Sequence, residues 1–150
     1  MKELEDENGK SGNYGYYDQY TAIQWVKHNI KAFGGNPEKM TLIGQSAGAA
    51  SAETQIKSPL NRGVFQGAII QSSAGFVSVL KAKDNRENAY RRGKELFDQS
   101  GCATIAEFRK MPAEELFHLF ERLSAKNPIG YTTAVFDENF TGREKNRPCE

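Results

Sequence analysis

Gly44-Gln45-Ser46-Ala47-Gly48 is the stretch of this chain whose residue types and spacing read most directly as chemistry. It matches G-x-S-x-G, the nucleophile elbow, in which a sharp strand-to-helix turn projects a serine hydroxyl above a sheet. The pattern alone arises by chance in about 8% of chains of this composition, so its surroundings must carry weight. Met40-Thr41-Leu42-Ile43 before it is a short, mostly apolar run bordered by turn residues, as in a buried strand. Ala47 to Ile56 after it reads as a helix. On such a turn a side chain two residues before or after the serine is expected to collide with the neighbouring strand or helix. Glycine is therefore expected at both 44 and 48 for want of a Cβ. Ala47, Ala49, Ala50, Ser51 and Ala52 let the helix lie close to a sheet. Its N-terminus then faces the reacting centre, where free N–H groups and the helix dipole favour an oxyanion. The Ala47 N–H is one expected oxyanion donor. The competing reading is structural: serine is a good helix N-cap, and Ser46 then only starts the helix.

A serine hydroxyl is a poor nucleophile without a base, and the base needs an orienting acid. Around an elbow of this kind the acid and then the histidine follow the serine in chain order. The chain has two histidines. His28 precedes Ser46 and sits within a helix pattern, and His118 has the right order but lies between Phe117 and Leu119 on an amphipathic helix. Both read as structural. Asp98, Asp137 and the C-terminal acids are all open as third members, and nothing in the sequence selects one.

Four stretches must position these residues. Residues 1–15 are polar and glycine-rich and read as a loop. Residues 16–80 carry the core. There Tyr17 to Phe33 reads as a helix with Ile23, Val26, Ile30 and Phe33 on one stripe, ended by Gly34-Gly35. Gly67 to Ser72 reads as a second strand, so strand, helix and strand form a βαβ unit with a parallel sheet. Residues 81–127 read as helical. Capping boxes start at Asp84 and Thr104, Pro112 suits the first position of a third helix, and Leu116, Leu119, Phe120 and Leu123 line one face. Residues 128–150 read as loop. The whole is expected to be one partial α/β domain. Tyr14, Tyr16, Tyr17 and Tyr20 read as packing over the first helix, and the basic residues from Lys81 to Lys94 as a solvated face.

Composition narrows the function. The chain has 20 Lys and Arg against 19 Asp and Glu, a balance that argues against a nucleic-acid binder. No apolar run approaches a membrane span. The acidic, polar start has no secretory pattern, which weakly favours the cytoplasm for a chain beginning there. Cys102 and Cys149 show neither metal spacing nor a disulfide framework. The sequon Asn139-Phe140-Thr141 reads as chance. Leu, Ile, Val and Phe make up only 30 of 150 residues, a thin supply for a complete core.

Residues 12–76 resemble the type-B carboxylesterases, the esterase/lipase/cholinesterase family of α/β-hydrolases. The resemblance is carried by Asn13-Tyr14-Gly15-Tyr16-Tyr17-Asp18-Gln19, Ala22-Ile23-Gln24-Trp25-Val26, Phe33-Gly34-Gly35-Asn36-Pro37 and Thr41-Leu42-Ile43-Gly44-Gln45-Ser46-Ala47-Gly48-Ala49. Gly63-Val64-Phe65 and Ala68-Ile69-Ile70-Gln71-Ser72 continue it in register, and Ser100-Gly101-Cys102 and Pro112 to Leu116 extend it. Val135-Phe136-Asp137 weakly resembles a further sheet segment.

The resemblance implies an α/β-hydrolase fold, Ser46 as acyl-forming nucleophile and Ala47 in the oxyanion hole. It places Gln45 beside the nucleophile, where many members carry Glu, and Ser72 behind the reacting groups near the acid. Ser73 departs from the glycine usual there. A small-molecule carboxylic ester is the implied substrate, with no metal or organic cofactor. Family members are several times longer, with their glycine-rich oxyanion loop upstream and their acid and histidine further on. The chain thus resembles an internal segment that is weakly active or inactive without the rest of the polypeptide. The alternative is a non-catalytic, cholinesterase-like interaction protein on the same fold, which would need no serine at the elbow.

Overall fold

Parallel strands need a crossover, and the 41–71 stretch supplies it as strand, helix and strand. The computed structural model describes residues 1–9, 11–72 and 86–126, with Val135 and Phe140. Ser73, Lys81, Lys83, the Asp84 cap, Asp137, the Asn139 sequon and Cys149 lie outside the described residues. The chain divides into two compact units, one of Met1–Gly12 and Lys83–Val135, the other of Asn13–Ala82 and Phe136–Glu150.

The second unit holds the elbow. Its first helix, α2 (Tyr14–Asn29), tightens into a 3-10 turn over Ile30–Phe33. Gly34 then closes the segment at φ 81°, a left-handed conformation that glycine adopts freely. Strand β1 (Thr41–Gln45) pairs in parallel with β2 (Gly67–Gln71), from Thr41 opposite Gly67 to Gln45 opposite Gln71. Between them run α3 (Ala47–Lys57) and a 3-10 turn, Pro59–Asn61. Helix α3 packs on both strands and on α2. Ala49, Ala50 and Ala52 are buried, as a helix lying close to a sheet requires. Val64 and Phe140 complete the apolar core. Phe140 is wholly buried, with the Tyr16 ring stacked at 5.9 Å and the Tyr17 ring edge-on at 4.9 Å. The packing reading therefore holds for Tyr16 and Tyr17, whereas Tyr14 is half exposed. The expected stripe on α2 is only half buried, and Phe33 is 72% exposed. Ile43 and Ile69 on the strands are 61% and 46% exposed, so the sheet is largely uncovered by the described residues.

In the other unit the expected loop over residues 1–15 is corrected. Its first part is a helix, α1 (Lys2–Asn8), and α2 already begins at Tyr14. The reasons are local. Lys2 pairs with Asp6 one turn on, Glu3 and Glu5 occupy the first turn, and Gly9 at φ 67° ends the helix. Helix α4 (Arg86–Ser100) is followed by α5 (Ile105–Phe108), which begins directly after its Thr104 cap, and by α6 (Ala113–Ser124), in which Pro112 stands at the N-cap and not at the expected first helical position. Thr104 Oγ1 accepts the Glu107 N–H at 3.2 Å, as a capping residue should. Leu119 and Leu123 bury the α6 stripe, and Phe97 meets Phe108 edge-on at 5.7 Å. Arg86 pairs with Glu5 and Arg109 with Glu7, tying α1 into the unit.

Candidate active site

Ligands of open α/β sheets bind beyond the carboxyl ends of the strands. The predicted site residues gather at that end here. Gln45 ends β1, Ser72 follows β2, and the Ser46 N–H donates to the Gln71 carbonyl at 3.0 Å. This bond carries the sheet pairing one residue into the turn. From there the Ser46 carbonyl accepts the Ala50 N–H at 3.1 Å and α3 begins.

Between those bonds Ser46 has φ 51° and ψ −119°, a conformation that residues with a Cβ rarely adopt. Such backbone strain costs about 1–3 kcal/mol and persists only where the surroundings impose it. Ser46 stands at the N-cap position of α3, but its side chain makes no capping hydrogen bond, so the hydroxyl is not committed to the helix. Ser46 is partly exposed, and Gln45 and Ala47 are exposed. The first N–H groups of a helix have no intrahelical acceptor, which leaves the Ala47 N–H free to donate outward. Ser72 also has a positive φ, 56°.

The two elbow glycines are not equivalent. A Cβ on Gly44 would lie 2.2 Å from the Gly48 carbonyl oxygen and 2.8 Å from the Ala49 nitrogen. A Cβ on Gly48 would meet nothing within 4 Å. The expected collision is therefore found at 44 and not at 48: Gly44 lies beneath the first turn of α3, while Gly48 faces open space.

The strain itself is testable. Ser46→Gly is expected to unfold about 1 kcal/mol harder than Ser46→Ala, because relief of strain outweighs the glycine's added chain entropy. Equal urea midpoints for the two variants would remove the strain argument.

Neither histidine is committed to Ser46. On α2, His28 Nδ1 donates to the Gln24 carbonyl at 2.6 Å. His118 faces acids of its own helix, with Nδ1 3.3 Å from Glu121 and Nε2 4.0 Å from Glu114. Asp98 pairs with Lys94 at 2.6 Å. Among the described residues no three His, Cys, Asp or Glu side chains converge as a metal site, and no helix is long and apolar enough to cross a membrane.

Sequence reasoning missed a buried chain of amides at the end of α3 away from the elbow. Gln55 on α3 is only 2% exposed, and its Nε2 donates to the Tyr16 carbonyl at 2.8 Å and to Gln19 Oε1 at 3.1 Å. Its Oε1 accepts from Asn61 Nδ2 at 2.8 Å, and Asn61 Oδ1 accepts from Gln24 at 3.4 Å. The available signal was a glutamine three residues after Ala52, on the helix face otherwise given to small residues.

Comparison with known proteins bears on what this arrangement belongs to. A family model described as the carboxylesterase family matches residues 4–147. Bovine bile salt-activated lipase is 56% identical over 64 residues, 43% of this chain and 11% of the lipase. Rat pyrethroid hydrolase Ces2e is 34% identical over 138 residues, 92% of this chain and 24% of the hydrolase. The solved structure of carboxylesterase EST55 from Geobacillus stearothermophilus matches with a TM-score of 0.69 at 34% identity, covering 87% of this chain and 26% of that one. The chain thus spans about a quarter or less of the length of these relatives. The family match runs over nearly the whole chain, and the solved relative shares its fold over 87% of it; this chain belongs to the carboxylesterase family and has a partial α/β-hydrolase fold.

Proposed function

We propose that this chain carries the acyl-forming nucleophile of a serine carboxylic ester hydrolase and works as part of a longer polypeptide. One observation carries the reading: Ser46 is held at φ 51° between a strand and a helix with its hydroxyl unused as a cap. In the proposed reaction Ser46 Oγ attacks the carbonyl of a small carboxylic ester. A base supplied by the rest of the polypeptide takes the hydroxyl proton. The Ala47 N–H donates to the oxyanion as the carbonyl becomes tetrahedral. Collapse breaks the ester C–O bond, and the alcohol leaves with the proton held by the base. Water then cleaves the acyl-serine, releasing the acid and restoring Ser46. Gln45 and Ser72 flank the nucleophile at the strand ends, where they help shape the site.

The test is a segment swap. Residues 12–72 of this chain replace the matching stretch of bovine bile salt-activated lipase, a relative 56% identical over 64 residues. The chimera is expected to take up one fluorophosphonate per chain, and its Ser46→Ala variant none, by intact mass. A chimera that keeps its host's melting temperature yet resists the probe overturns the proposal. A shorter swap of residues 41–57 serves if the longer one does not fold.

A further inference from the structure

Helix α3 packs on the two strands and on α2, and its buried apolar residues are Ala49, Ala50 and Ala52. Alanine methyl contacts are favourable but non-directional, so they resist sliding or rotation of the helix only weakly. Hydrogen bonds of fixed length and angle resist both. Among the described residues, the side-chain hydrogen bonds that leave α3 for other elements run through Gln55. They reach α2 at Tyr16 and Gln19 and the 3-10 turn at Asn61, which Gln24 ties back to α2. Asn61 Nδ2 also donates to the Gln55 backbone carbonyl at 3.0 Å, fixing the last turn of α3. Gln55 and Asn61 are 2% and 3% exposed, so water cannot replace a lost partner without opening the structure. Gln55 follows Ser46 by about two and a half turns of one rigid helix, so what fixes Gln55 fixes where α3 begins.

We propose that Gln55, with Asn61, is a positioning residue for the elbow: the amide chain clamps α3 to α2 and so sets the placement of Ser46 and the Ala47 N–H. The functional meaning of that placement rests on the nucleophile reading above; the mechanical claim does not. The test is residue-resolved amide hydrogen exchange on the full 150-residue chain. Two amides report the elbow, the Ser46 N–H on the Gln71 carbonyl and the Ala50 N–H on the Ser46 carbonyl. Gln55→Met keeps the side chain's length and removes its amide. It is expected to speed exchange at Ser46 and Ala50 by about tenfold or more, the size of effect an orphaned buried partner gives. The slowest amides of β1 and β2 should change less than about twofold. Gln19→Ala removes one acceptor at an exposed position and keeps the test alive if Gln55→Met does not fold. It should give the same local pattern at about threefold. Uniform acceleration across strands and elbow marks Gln55 as a general stabiliser and overturns the proposal, as does an unchanged elbow. The readout involves no reaction at Ser46, so its failure leaves the nucleophile reading standing, and an unlabelled chimera leaves the exchange result standing.

Discussion

Replacing Gly44 by alanine is expected to destabilise the chain by about 3 kcal/mol, the upper part of the range for forcing atoms into a packed site. The new Cβ would stand 2.2 Å from the Gly48 oxygen, 2.5 Å from its carbonyl carbon and 2.8 Å from the Ala49 nitrogen. All three are backbone atoms, so no rotamer change makes room. Either β1 sinks or the first turn of α3 lifts, and a lifted turn breaks the bond from Ser46 to the Gln71 carbonyl that fixes the elbow. Gly48→Ala is the control. It adds a methyl in open space within a helix, and glycine-to-alanine changes at such positions are worth about 1 kcal/mol or less, usually in alanine's favour. Urea unfolding of the three proteins measures both effects. A Gly44→Ala midpoint close to that of Gly48→Ala would mean the turn yields where the geometry says it cannot.

That asymmetry marks where the sequence stops being legible. The pentapeptide, the apolar run before it and the alanine-rich run after it identify strand, turn and helix, because each signal is local. Which glycine is sterically required is not local. It depends on how far α3 leans over β1, and that lean is set by contacts at Gln55 and Asn61. Gln55 is polar, and nothing in the sequence says that Asn61, Gln19 and the Tyr16 carbonyl will satisfy it in the interior. Phe140 presents the same difficulty at longer range, since its partners Tyr16 and Tyr17 lie more than a hundred residues away in sequence. Helix α1 escaped because its glycine-flanked, charged composition resembles a loop, while its stability comes from charge placement and from pairing with Arg86 and Arg109. The half-exposed stripe of α2 and the open faces of Ile43 and Ile69 show the converse: apolar patterning marks surfaces built for burial, whether or not the described residues cover them. The chain's span of about a quarter or less of the reported relatives accords with surfaces left open in this way.

The 150-residue chain by itself is expected to turn over a p-nitrophenyl ester no faster than its Ser46→Ala variant. Serine hydrolases stripped of the serine–histidine partnership lose about 10⁶-fold in kcat, and the residue left over comes from the oxyanion hole and substrate binding. The chain offers two histidines for the role of base. His28 spends Nδ1 on the Gln24 carbonyl, and His118 stands between Glu114 and Glu121 on its own helix. Without a base at hydrogen-bond distance, the Ser46 hydroxyl stays protonated and its attack is slow however well the backbone presents it. Strain at Ser46 aims the hydroxyl; it does not ionise it. Intact mass after fluorophosphonate treatment, alongside Ser46→Ala, measures the point directly. An unlabelled chain whose exchange data show an ordered elbow places geometry in these 150 residues and activation outside them. Stoichiometric labelling that vanishes in Ser46→Ala defeats the prediction, because a base must then reach Ser46 within this chain or from a second copy. His118→Gln and His28→Gln would separate those routes: loss of labelling in one variant names the base, and mixing that variant with Ser46→Ala restores labelling only if the base comes from a second copy.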